Sequence, residues 1–361
     1  MQWARANGHS LLTWARPSYR ATWRELKARG DLPVTEQPRL VVDLRDARAG
    51  DDKGRYLFHL VHEFHLQGYL PTYVARFPLL GPVRAKRHRA LLLELPFAVV
   101  DRAEDVEGPC VHLADHDGPA PRGGTKQVRL SYAPRRARAG EHALPFGMHP
   151  PVALLGVKDE VLIDVDRPVR VLFAGNTNPA SYDHAALRRR HGVMTRRGVV
   201  ERVKERLADG HVALERPAVR LPGATFVTAE ALASPIPDSQ WLSTLAQADF
   251  FLAAPGTHMP LCHNLIEAML VGTIPILEYG SYLEPALEDG VHCLAFQGPP
   301  SLDRAVDRAV AMGPDELLAL RARVREYAAR WLAPGLFARR LLEEPGVSTV
   351  LLRGLHLPRE R

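Results

Sequence analysis

Three polar side chains stand close together late in the chain: His263, Asn264 and Glu267, within the run Leu261-Cys-His-Asn-Leu-Ile-Glu-Ala-Met269. Residues three and four apart share one face of a helix. These three can therefore project together while Leu261, Leu265, Ala268 and Met269 pack inward. A carboxylate so placed accepts hydrogen bonds from both hydroxyls of a ribose. Upstream, Gly256 and Thr257 lie where a backbone without side-chain bulk can approach a diphosphate. Pro260 suits a first helical turn because it has no N–H to leave unpaired. Phe250 to Ala254 before the loop and Thr273 to Leu277 after Gly272 read as buried strands. This order sets a helix N-terminus at the carboxyl end of a parallel sheet, where free N–H groups and the helix dipole favour phosphate. The expectation is a nucleotide-linked ligand. The plainer alternative is an exposed helix whose Glu267 is merely solvated.

Two further segments fit that expectation. Leu172 to Asn176 ends a predicted strand with Gly175 and the short amide Asn176, and an ordinary turn is its alternative. Thr195-Arg196-Arg197-Gly198 sits at a helix start, with Thr195 as N-cap. Two guanidiniums there can neutralise a diphosphate leaving group in place of a metal. Arg197 is preferred over any other arginine, against the alternative of a surface pair.

The runs Phe250 to Gly256, Asn264 to Ile276 and Tyr282 to Pro285 resemble the donor-binding segment of GT-B glycosyltransferases. They are most similar to the exostosin type and less closely to the group 1 retaining family with its Glu-x7-Glu motif. The resemblance implies that Glu267 binds the ribose of a sugar nucleotide. It also implies that Pro255, Gly256 and Thr257 face the diphosphate, that Gly175 and Asn176 approach the donor phosphates, and that Asn176 or His263 touches phosphate or sugar. Met259 stands where the earlier glutamate of Glu-x7-Glu would fall, and Asn264 where the exostosin type has arginine. The implied fold is α/β, with two facing Rossmann-like domains, a cleft between them and a C-terminal helical tail. The implied activity is transfer of a sugar from a nucleoside-diphosphate sugar to a hydroxyl of a glycan, lipid-linked or small-molecule acceptor. No metal and no cofactor beyond the sugar nucleotide are expected. The rival readings are a sugar-nucleotide epimerase or hydrolase, and a noncatalytic glycan-assembly protein.

Inverting transfer needs a base for the acceptor proton. Asp115 and His116, in a loop after a short strand of the first half, are the candidates. Asp115 and Asp117 also spell the Asp-x-Asp metal site of GT-A enzymes, but their flanks and the C-terminal position of the nucleotide segment argue against that. A turn stabilised by its aspartates is the alternative. His59, His62, Glu63 and His65 offer no evident third metal ligand and read as helix-face residues.

The elements that must position these groups follow from hydrophobic period. Residues up to about Gly30 look helical, Pro38 to Leu44 is a buried strand, Gly54 to Gly68 an amphipathic helix ended by glycine, and Pro71 to Ala75 a strand. Leu91 to Leu95, Ala98 to Val100, Val111 to Leu113 and Gln127 to Ser131 are short strand candidates. Gly140 to Pro151 reads as a linker. Val169 to Asn176 opens a second sheet, a helix follows near Thr195 to Ala208, a strand near Gly223 to Val227, and a short helix at Ser239 to Gln247. Cys293 to Phe296 and a helical tail from Ser301 to about Glu344 complete the pattern. The domains expected are 1–145 on the acceptor side, 151–342 for the donor, and a tail 343–361.

The 361 residues suffice for two domains with proper cores. Forty-seven Lys and Arg against 41 Asp and Glu give a net charge of +6. That balance suits sugar nucleotides or the anionic surface of a membrane. The clusters Arg84 to Arg89, Arg135 to Arg138 and Arg188 to Arg190 lack interleaved aromatics, which excludes nucleic acid as the expected partner. The apolar runs are too short to cross a bilayer. The first residues lack the order of a signal peptide, and Cys110, Cys262 and Cys293 form neither a disulfide framework nor a zinc spacing. A cytoplasmic protein, with peripheral contact to the inner membrane face as a further expectation, is the inference.

Overall fold

The computed structural model describes residues 16–29, 37–123, 126–133, 135–157, 165–182, 185–257 and 259–352. The chain forms two compact units. One holds the described residues through Pro145 and those from Pro334 onward, and the other holds Phe146–Ala333. The strands are β1 (Arg39–Asp43), β2 (Leu70–Val74), β3 (Ala98–Val100), β4 (Cys110–Ala114), β5 (Lys126–Ser131) and β6 (Glu141–Ala143) in the first unit. The second unit has β7 (Val169–Gly175), β8 (His211–Ala213), β9 (Ala224–Glu230), β10 (Ala248–Leu252), β11 (Ile274–Leu277) and β12 (Leu294–Ala295). Last comes β13 (Val347–Leu351), back in the first unit.

The first sheet runs β3-β2-β1-β4-β5-β13-β6 and the second β12-β11-β10-β7-β9-β8. The pairings within both are parallel. Central strands of such sheets are covered on both faces, which is why they read as continuous apolar runs. Leu40, Val41, Val42, Val171, Leu172, Phe250 and Ile276 are all fully buried. In each unit the first strand lies inside the sheet, with later strands added on both sides. The crevice where the chain changes direction falls between β1 and β4 in the first unit and between β7 and β10 in the second. The two Rossmann-like α/β units expected from the sequence are therefore present.

Three expectations change. Leu91 to Leu95 is no strand: a 3-10 turn at Leu91–Leu93 follows the short helix Arg87–Ala90. An apolar run of that length without alternation does not by itself choose between helix and strand. The linker region is structured on both sides, with Glu141–Ala143 paired to β13 and Pro150 opening the helix Pro150–Leu155. The C-terminal segment also leaves the second unit at Pro334, earlier than expected. Its helix Leu336–Glu343 is followed by β13, which inserts between β5 and β6.

Side chains explain that insertion. Lys126 Nζ donates to the Glu344 carbonyl (2.7 Å), and His142 Nε2 lies 2.8 Å from the Glu344 carboxylate. Glu63, buried on the helix Arg55–His65, accepts the Phe337 N–H (3.0 Å) at the start of the returning helix. Burial pushes the Glu63 carboxyl above its usual range, although backbone donors from Gly335, Phe337 and Ala338 oppose the shift. His62, one residue earlier, stacks on Phe58 with ring centroids 5.4 Å apart. Burial, with smaller contributions from His59 and His65, takes its pKa to about 4. Of the expected helix-face residues, Glu63 thus holds the tail. Among the basic clusters, Arg84 pairs with Glu25 and Arg135 with Glu141. No helix among the described residues is long and apolar enough to cross a membrane.

Candidate functional site

In an open α/β sheet, ligands settle outside the carboxyl ends of the strands where the winding reverses. In the second unit that place lies between the loop after β7, containing Asn176, and the loop after β10, containing Pro255 and Gly256. Arg196 spans the two. Its Nε donates to the Pro255 carbonyl (2.8 Å), its Nη1 to the Asn176 carbonyl (3.2 Å), and its guanidinium lies 4.1 Å from the centre of the Tyr182 ring. Asn264, from the helix His263–Leu270, adds a second tie by donating from Nδ2 to the Ala174 carbonyl (2.8 Å). A Cβ added to Gly175 would stand 3.5 Å from both Arg196 Nη1 and Asn264 Nδ2. Four of the expected residues, Gly175, Asn176, Arg196 and Asn264, therefore converge on one crevice.

The loops have local causes. Thr195 caps the helix Arg196–Arg206 by accepting the Gly198 N–H (3.1 Å), as its position predicts. This sets Arg196 in the first turn facing inward and leaves Arg197 exposed. The buried, fixed guanidinium is thus that of Arg196, while the preferred Arg197 is exposed beside it. Asn176 Oδ1 accepts the Asn178 N–H (2.8 Å), which turns the chain back over the strand end. Gly256 donates to the Pro260 carbonyl (2.9 Å), and a Cβ on it would meet the Met259 carbonyl oxygen at 2.5 Å. The glycine is demanded by the tightness of the loop itself. Thr257 is half-buried beside it. Two carboxylates secure neighbouring strand ends. Glu230 takes Thr177 Oγ1 and Lys204 Nζ (3.0 Å), while Glu278 takes the Met194 and Gly298 N–H groups (2.6 and 2.8 Å). Burial would raise the Glu230 carboxyl, but its hydrogen bonds and the lysine charge hold it below the usual range.

The helix expected to open at Pro260 begins at His263. It is buried nearly all round, Asn264 and Glu267 included, because other helices of the unit cover its outer side. Glu267 is fully buried, and its two oxygens accept the His149 N–H (2.7 Å) and the Trp241 indole N–H (2.6 Å). A ribose would have to displace one of these donors. The carboxylate thereby fixes His149, whose ring stacks on His263 with centroids 4.8 Å apart.

In the first unit the corresponding crevice lies between the loops after β1 and β4. Asp115 Oδ1 accepts the Arg45 N–H (2.9 Å), while Oδ2 accepts the Asp46 N–H (3.0 Å) and the Tyr132 hydroxyl (2.8 Å). The Asp115 carboxylate is the clasp between the two loops. His116 turns toward Asp43, the buried last residue of β1, with Nε2 3.2 Å from Oδ2, although this contact is poorly aligned as a hydrogen bond. His116 Nδ1 accepts the Gly118 N–H (2.8 Å), so the ring proton resides on Nε2. Arg76, just past β2, grips the same aspartate through two bonds of 2.7 and 3.1 Å. Burial would raise the Asp43 carboxyl, but Arg76 and then His116 hold it below the usual range. The sequence paired His116 with Asp115, and the structure pairs it with Asp43.

Asp43, Arg76, Trp241 and His149 escaped sequence reasoning. Asp43 did leave a signal, a charged residue closing an otherwise apolar strand. The other three are joined to their partners only through sheet order.

No family model matches the chain, and no curated protein matches it. Solved structures do. The chain is similar to AviGT4, a glycosyltransferase involved in avilamycin A biosynthesis, with 16% identity, coverage of 85% of this chain and 96% of that one, and a TM-score of 0.43. It is also similar to a mutant of the O-GlcNAc transferase of Thermobaculum terrenum, with 13% identity, coverage of 90% and 71%, and a TM-score of 0.41.

Proposed function

We propose that the second unit binds a nucleoside-diphosphate sugar at the crevice between β7 and β10, and that the protein transfers its sugar to an acceptor hydroxyl. The observation that carries this reading is the Arg196 guanidinium, buried and spanning the two loops where the winding reverses. A fixed cation at that place stabilises the charge that develops on a departing diphosphate, at no cost of reorganisation during reaction. Arg197 adds an exposed charge one residue on, and Gly175, Asn176, Gly256 and Thr257 supply backbone that a diphosphate can approach. Glu267 acts in this reading as a positioning residue that holds Trp241 and the stacked His149 and His263.

The base is assigned to His116. Its Nδ1 takes the acceptor proton after releasing the Gly118 N–H, while the Asp43 carboxylate, 3.2 Å from Nε2, faces the imidazolium that forms. The acceptor oxygen bonds to the anomeric carbon, and the bond to the diphosphate breaks with its electron pair leaving on phosphate. A thermal-shift panel of UDP, GDP, ADP, CMP and dTDP tests the donor site. One nucleotide should raise the Tm, and Arg196→Lys, which keeps the charge but loses the fork, should weaken its binding at least tenfold. Absence of a shift with every nucleotide would end the reading. Release of free sugar from the donor without an acceptor would favour a hydrolase instead.

A further inference from the structure

A second polar site lies in the first unit, on the face of β4 and β5, and reaches the loop after β4 that carries His116. The connection from β4 to the parallel β5 has no helix among its described residues. Parallel sheets are ordinarily covered on both faces by crossover helices. Here β5 alternates, with Val128 and Leu130 buried and Gln127 and Arg129 exposed. His112 pairs in register with Gln127, and Ala114 with Arg129, so these residues share the uncovered face. A cavity of about 170 Å³ opens there, lined by His112, His116, Asp117, Gly118, Gln127 and Arg129 among others. His112 is 5% exposed, yet its Nε2 has no hydrogen-bond partner. Burial lowers the pKa of its ring, the Asp43 charge opposing and His116 adding to the effect, so the imidazole is neutral at pH 7. A buried polar nitrogen without a partner costs on the order of 1–3 kcal/mol, and a ligand group that satisfies it recovers that cost.

The charges decide what kind of ligand fits. Arg129 is paired with Asp117 at 2.5 Å, and the Asp43 carboxylate behind His116 is paired with Arg76, so the wall carries no net charge to attract an ion. It offers instead an imidazole, a primary amide and the outer edges of one ion pair, a mixture of donors and acceptors suited to hydroxyls. Drug-sized ligands occupy pockets of about 300–1,000 Å³, so this one takes a single ring and excludes a nucleotide. We infer that the cavity is a binding site for one neutral pyranose ring, with ring hydroxyls bonded to Gln127 and the Arg129–Asp117 pair and another reaching the buried His112 Nε2 once that imidazole turns into the cavity. The inference rests on the first unit alone and does not require a nucleotide in the second.

The test is titration calorimetry of the full chain with the methyl glycosides of glucose, galactose, mannose and N-acetylglucosamine, with phosphate and acetate as charged probes. At least one glycoside should bind saturably in the millimolar range. Gln127→Ala, at an exposed position that leaves folding intact, and His112→Phe, which fills the cavity, should each weaken it at least tenfold. Phosphate and acetate should not compete, and any nucleotide response of the second unit should be unchanged. No saturation by any glycoside, saturation untouched by Gln127→Ala, or displacement by phosphate or acetate would each overturn the inference.

Discussion

The two crevices share a topology and differ in the sign of the group at their centre. Between β1 and β4 the loops are clasped by a carboxylate, Asp115. Between β7 and β10 they are clasped by a guanidinium, Arg196. Both clasps satisfy backbone groups that the end of a strand leaves unpaired, N–H groups in the first unit and carbonyls in the second. The polarity of those groups therefore fixes the charge of the side chain that can serve. The same choice sorts the ligands. A buried cation would welcome a diphosphate, whereas a histidine backed by Asp43, itself paired with Arg76, would favour a neutral group that gives up a proton. One winding thus yields a candidate site for a leaving group and a candidate site for a base.

Breaking the base should have the largest effect on that division. His116→Ala should lower the rate of sugar transfer about a thousandfold, as expected for loss of a general base. The nucleotide-induced rise in Tm should be unchanged, and equal loss of both would show that the two crevices do not divide the labour this way. Asp115→Ala leaves three donors without their acceptor, and about 3 kcal/mol of stability should go with it. A urea midpoint that barely moves would mean that the clasp is cosmetic.

Acid should weaken the first unit through His62. Its folded pKa of about 4 lies below the ordinary 6.5, so the unfolded chain binds the proton first. The stability is present above pH 6.5 and is lost as the pH falls toward 4, by about 2 kcal/mol between pH 7 and pH 5. His59, on the same helix, is likewise held near 4 by burial, so calorimetric Tm values at the two pH values should show a slope that His62→Phe reduces and His59→Phe with His62→Phe flattens. The smallest effect is reserved for Arg197→Ala. An exposed arginine outside the clasp should change stability by no more than about 0.5 kcal/mol, against a much larger loss for Arg196→Ala in the same urea titration.

Local pattern carried most of the elements. The strand Arg39–Asp43, the amphipathic helix Arg55–His65, the capped helix at Arg196 and the strand pair around His263–Leu270 are all legible because period and capping depend on neighbours a few residues away. Gly272 ends its helix at φ +72°, as its place in the sequence indicates. The candidate site was legible as a set of segments but not as a set of contacts. Thr195 announces a helix start, yet whether Arg196 or Arg197 faces the crevice depends on how that helix lies against β7 and β10. Glu267 stands out as a carboxylate amid apolar residues. That it takes up the Trp241 indole and the backbone of His149 depends on elements distant in sequence.

The sequence by itself determined most of the strands and helices of each unit, though not the helical turn at Leu91–Leu93, β6 or β13, and that two parallel sheets would present polar loops at their strand ends. Tertiary structure alone decided that His116 meets Asp43 rather than Asp115, that β13 inserts between β5 and β6, and that one face of β5 stays uncovered. The physical reason is range. Backbone geometry and hydrophobic period act over one or two turns, whereas strand order brings together residues tens to hundreds of positions apart and settles which polar groups are left to be satisfied.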